Sequence, residues 1–139
     1  MPDKLLFMLS KVQHAVTTYL KKELKKEGIA LSPGQMGILL ALERDRQTTM
    51  GKLSQTVEVD NAAVSRLVDK LEQQNMVERY IDPSDRRQVI IAITREGLDK
   101  ADIVKKIAQA ANDRIKNGFS DKEISIYRQV GLAIVEKFK

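Results

Sequence analysis

The sequence predicts a mostly helical α+β fold: six helices, with one two-stranded hairpin set directly after the fourth. Three observations lead there. Apolar residues recur at helical spacing through most of the chain. That period switches to alternation at Met76–Ile81 and again at Gln88–Ile93. Helix-start and helix-stop residues punctuate the rest at intervals that leave only short connections.

The first helix is expected over 4–27, carried by Leu5, Leu9, Val12, Val16, Tyr19 and Leu20 and closed by Gly28. Ser32-Pro33-Gly34-Gln35 opens the second, with Ser32 as N-cap, Pro33 in the first helical position and Gln35 completing a capping box. This helix ends near Arg44. Thr49 caps a short third helix through Thr56, and a break is expected at Glu58-Val59. Asp60 caps the fourth, roughly 61–74, whose apolar stripe is Val64, Leu67, Val68 and Leu71. Asn75 ends it in the left-handed conformation. The hairpin follows, its strands joined by the polar turn Asp82-Pro83-Ser84-Asp85-Arg86-Arg87. Thr94 caps a fifth helix over 95–116, and the capping box Ser120-Asp121-Lys122-Glu123 opens a sixth through Lys137.

Composition narrows the function classes. The net charge of +5 favours a polyanionic partner. Its distribution is uneven: residues 1–30 carry six bases and three acids, 31–95 nine of each, and 96–139 nine bases and seven acids. The surplus therefore lies outside the helix-hairpin segment. With no cysteine, thiolate metal sites, disulfides and thiol redox sensing are excluded. The single histidine, His14, leaves no metal-ligand cluster and no nucleophile–base pair, and no glycine motif of the phosphate-cradling kind occurs, so no enzyme, metal or cofactor is expected. The apolar run at Leu5–Leu9 is too short for a signal peptide, and no stretch approaches the ~20 apolar residues of a membrane span. A cytoplasmic protein without membrane partners is expected.

A short helix, a tight turn, a fourteen-residue helix and a hairpin make a winged helix-turn-helix. Its second helix has the dimensions to enter the major groove of double-stranded DNA. The outward positions are Asn61, Ala62, Ser65, Arg66, Asp69 and Gln73. The polar members among them hydrogen-bond base edges or phosphates, and alanine contacts a thymine methyl. Arg86 and Arg87 stand at the wing tip beside Asp82 and Asp85, where one arginine ties the wing to Asp85 and the other suits the narrow minor groove. A solvated helix face and a local Asp–Arg pair are the plain alternatives.

Val64-Ser65-Arg66-Leu67-Val68-Asp69-Lys70-Leu71-Glu72 resembles the recognition helix of MarR-type regulators, and Asp85-Arg86-Arg87 followed by Ile93-Thr94 resembles their wing signature, with isoleucine in place of leucine. Asn75 stands where a glycine is common. The resemblance extends over nearly the whole chain. It implies a prokaryotic regulator acting as an obligate homodimer on a pseudo-palindromic operator, with repression favoured over activation. It also implies release by a small-molecule effector. By that resemblance Asn61, Ala62, Ser65 and Arg66 meet bases or adjacent phosphates, Lys70 meets phosphate, Arg86 enters the minor groove, and Asp85 with Arg87 braces the wing.

The expected organisation is dimerisation helices at 1–30 and 118–139, a winged DNA-binding domain at 31–95 and a linking helix at 96–117. Leu5, Leu6, Leu9, Ile124, Tyr127, Ile134 and Phe138 are the interface candidates, since broad apolar surfaces at both chain ends mark an interface. His14 is a candidate for lining an effector pocket. The rival to DNA binding is a winged helix used only for protein–protein contact.

Overall fold

The computed structural model describes residues 4–57 and 59–139. The elements run α1 (Leu5–Lys26), α2 (Pro33–Asp45), β1 (Gln47–Thr49), α3 (Met50–Val57), α4 (Asn61–Gln73), β2 (Val77–Asp82), β3 (Asp85–Ile93), α5 (Arg95–Lys116) and α6 (Asp121–Lys137). The break expected at Glu58, and the first three residues of the expected 1–30 segment, lie outside the described residues.

The helix starts follow from their caps. Ser32 Oγ accepts the Gln35 N–H at 3.2 Å while Gln35 Oε1 accepts the Ser32 N–H at 2.8 Å, so this buried glutamine is satisfied. Asp60 Oδ1 accepts the Ala63 N–H at 2.8 Å, Thr49 Oγ1 accepts from Lys52, and Ser120 and Glu123 form the second capping box. Gly28 and Asn75 take positive φ, 69° and 61°, at the ends of α1 and α4.

One correction concerns the sheet. A third strand, β1, pairs antiparallel with β3, giving the order β1-β3-β2. Three residues are too few to show an alternating pattern, so β1 is silent in the sequence. The chain reaches it through Arg46, whose φ of 71° and ψ of −43° are rare for a residue with a side chain. The Arg46 carbonyl accepts the Ile93 N–H at 2.9 Å, which holds the turn against β3. A second correction concerns the hairpin. The strands extend to Asp82 and Asp85, so the turn is only Pro83-Ser84 rather than six residues. Asp82 Oδ1 accepts from both the N–H and the hydroxyl of Ser84 and closes the turn with its side chain.

By packing, the chain divides into one unit through Ala108 and a second over Gln109–Lys139. The first is built on Leu24, Ile38, Leu39, Leu42, Leu53, Val64, Val68, Leu71, Ile91 and Val104, all fully buried. Each such side chain contributes about 1.5–3 kcal/mol by leaving water. α4 is pinned by three of them, leaving its opposite side in solvent. The second unit is different: no residue of α6 is buried.

The base of the wing is tightly joined to the start of α5. Thr94 donates its N–H to the Met76 carbonyl (3.0 Å) and its hydroxyl to the Asn75 carbonyl (2.6 Å), and its Oγ1 accepts the Gly97 N–H (2.9 Å). Gly97 is needed there, because a Cβ would lie 2.0 Å from the Met76 carbonyl oxygen.

Candidate nucleic-acid interface

The outward side of α4 starts at its first turn, where Asn61 and Ala62 are exposed. Arg66 and Lys70 follow one turn apart on one flank, both exposed and neither in an ion pair among the described residues. Ser65, Asp69 and Glu72 lie about 100° round the helix on the other flank. That second flank is tied to the wing. Arg79, on β2, hydrogen-bonds Asp69, reaches Ser65 Oγ at 3.4 Å and the Ser65 carbonyl at 3.5 Å, and holds Glu72 Oε1 3.5 Å from its Nε. The Arg79 Nε is buried without a hydrogen bond, and the side chain as a whole is half-buried against α4. Half-buried Ser65 therefore has a protein partner already, whereas among the described residues the side chains of Asn61 and Arg66 have none.

At the wing, Arg87 forks onto Asp85: Nε donates to Oδ1 at 3.1 Å, Nη2 to Oδ2 at 3.3 Å, and the Arg87 N–H to Oδ1 at 3.1 Å. The Arg87 guanidinium, by its side-chain hydrogen bonds first and then the backbone N–H, holds the Asp85 carboxyl below the ordinary aspartate range. The Arg87 side chain nevertheless stays 90% exposed. Its neighbour Arg86 is exposed and makes no ion pair among the described residues. Tyr80 braces the wing root by donating its hydroxyl to Gln47 Oε1 at 3.0 Å.

The remaining candidates fall elsewhere. Leu5, Leu6 and Leu9 are exposed on α1, and Tyr127 and Phe138 are exposed in the second unit, where Ile124 and Ile134 are half-buried. His14 is exposed on α1. A cleft of about 640 Å³ opens beside Arg66 and Lys70, and His14 is not among its lining residues. Lys21 and Lys25 are. Sequence reasoning gave these two lysines and Arg79 no place in the site. The four-residue spacing of Lys21 and Lys25 was visible, but nothing in the sequence says that the end of α1 folds beside α4. Arg79 gave no signal beyond being a basic residue on a strand.

Among the described residues no helix is long and apolar enough to cross a membrane, and no group of His, Cys, Asp and Glu is placed to hold a metal ion.

Comparisons with known proteins point one way. The model of the MarR family matches residues 31–89, the segment from the α2 cap into β3. The HTH-type transcriptional regulator BilQ of Clostridioides difficile is 27% identical over 121 residues, 87% of this chain and 80% of that protein. The HTH-type transcriptional regulator MhqR of Bacillus subtilis is 24% identical, over 93% of this chain and 90% of that one. Among solved structures, the S. aureus MepR–DNA complex superposes with a TM-score of 0.87 at 17% identity, covering 99% of both chains. The transcriptional regulator SlyA follows with 0.82 at 21%, covering 98% of this chain and 94% of that one. At these identities the structural likeness establishes the fold.

Proposed function

We propose that this chain is a MarR-family regulator that binds double-stranded DNA as a homodimer and regulates transcription at a pseudo-palindromic operator. One observation carries the reading: the exposed side of α4 offers Asn61, Ala62, Arg66 and Lys70, beside a wing tip where Arg86 is exposed and Arg87 is braced by Asp85; among the described residues Arg66, Lys70 and Arg86 make no ion pair. In this reading α4 lies in the major groove with Asn61, Ala62, Ser65 and Arg66 near base edges, Lys70 on phosphate, and Arg86 with Arg87 at the minor groove. No catalytic step belongs to it, and its place is the prokaryotic cytoplasm, on the chromosome.

Dimerisation follows from two considerations. One helix reads too few base pairs to select an operator, whereas a two-fold pair reads two half-sites. The exposed apolar residues at both chain ends, Leu6 at 71% and Phe138 at 85%, supply surface for the second copy.

The test is to capture fragmented genomic DNA from the source on the purified protein and sequence what is retained. Enrichment of an inverted repeat with half-site centres about 10 base pairs apart is the expected result. A protein that is dimeric yet enriches nothing at any salt concentration would instead be a winged helix devoted to a protein partner.

A further inference from the structure

The positive charge of the chain sits outside the segment that carries α4, yet folding brings part of it back. Residues 31–95 are neutral, while residues 1–30 carry a surplus of three. The cleft beside α4 is where the two meet. Lys21 and Lys25 on the last turns of α1 line one side, Arg66 and Lys70 the other, with Ser32 and Leu67 between them. Four cations line this concave surface, and among the described residues no carboxylate does. None of the four makes an ion pair among the described residues, although Lys26, next to Lys25, pairs with Glu23 at 3.1 Å. Like charges gathered without counter-ions repel one another, and an anion seated among them relieves that repulsion.

We propose that this cleft seats the sugar–phosphate backbone of duplex DNA beside the groove entered by α4. Lys21 and Lys25 are then backbone contacts supplied from outside the helix-turn-helix. The inference rests on the DNA-binding reading above and extends it. The occupant is DNA because Arg66 and Lys70 belong both to the cleft and to the exposed side of α4, so whatever α4 meets is also at the mouth of the cleft. The spacing suits a strand: residues four apart on a helix stand about 6 Å apart along its axis. At that separation the two cations of each lysine–lysine or arginine–lysine pair can meet different phosphates of one strand. Phosphate contacts carry no sequence information, so these lysines set affinity and salt dependence and leave the choice of operator to the leading end of α4, Asn61 and Ala62.

The test is a full-length variant with Lys21→Gln and Lys25→Gln, titrated against operator and unrelated duplexes at several salt concentrations. A control variant, Lys106→Gln with Lys122→Gln, removes the same net charge elsewhere. The expected result is a plot of log K against log salt that is shallower by about 2 per protomer, roughly 0.9 for each phosphate that is no longer neutralised. Binding weakens by the same factor on both duplexes, so the specificity ratio is unchanged, and so is the melting midpoint. The control keeps the wild-type slope. A cleft variant whose slope and affinity match the wild type overturns the assignment while leaving the DNA-binding reading intact. An equal drop in slope in the control also overturns it, since the effect would then be one of net charge. Wild-type protein that binds neither duplex fails the underlying reading, and the cleft assignment with it.

Discussion

The winged unit and the chain ends use the same kinds of residue to opposite effect. Leu39, Leu42, Val64, Val68 and Leu71 are enclosed without help from any other molecule, whereas Leu5, Leu6, Leu9, Tyr127 and Phe138 have comparable apolar surface and leave it exposed. α6 has a capping box as good as that of α2, yet none of its residues is more than half-buried. Local helix chemistry is therefore complete in both places, and the difference lies in packing. The winged unit encloses its apolar residues within a single copy, and the ends leave theirs exposed.

Four experiments bear on that contrast, the largest effect first. Leu71→Ala should destabilise the fold by about 2–5 kcal/mol, because it opens a void behind α4; chemical denaturation measures it. A destabilisation below ~1 kcal/mol would mean that the winged core is looser than its burial indicates. Tyr127→Asp with Phe138→Asp should instead weaken self-association at least about tenfold, seen by sedimentation, with the helical content of the winged unit retained. An unchanged association constant would place the partner surface elsewhere. Arg66→Ala should cost on the order of 1–3 kcal/mol of operator binding if Arg66 reads a base, and relax preference at that position; equal weakening on all sequences would make it a phosphate contact.

The smallest effect is at the wing tip. Because Arg87 lowers the Asp85 carboxyl from its ordinary 3.8, the brace is fully present above that value and is lost as pH falls through the depressed folded-state midpoint. A carboxyl-resolved NMR titration should place Asp85 below ordinary aspartate, and Arg87→Ala should return it to the ordinary range. A midpoint indifferent to Arg87 would remove the brace.

Much of this was legible in the sequence wherever one residue decides a local outcome. Ser32, Asp60, Thr94 and Ser120 announced helix starts by hydroxyls or a carboxylate at fixed offsets, and Asn75 announced a left-handed stop. The exposed side of α4 could be read from the apolar stripe opposite it. What stayed hidden depends on residues distant in the chain. β1 exists because β3 offers it an edge, not because Gln47-Thr48-Thr49 favours a strand. Arg79 meets Ser65, Asp69 and Glu72 only once the wing folds back on α4. The cleft needs α1 and α4 side by side, although some forty residues separate Lys25 from Arg66. The tip turn is shorter than its six polar residues suggested, because Asp82 satisfies the Ser84 backbone itself and frees Asp85–Arg87 to join the strand.

The close approach at Gly97 gives the winged unit a mechanical character. Only a hydrogen on the Gly97 α-carbon separates the first turn of α5 from the Met76 carbonyl, so helix and wing root are in hard contact with no slack to absorb a displacement. The same wing root is joined to α4 by the Arg79–Asp69 hydrogen bond. A side chain larger than hydrogen at position 97 would therefore have to displace either the first turn of α5 or the root of the wing.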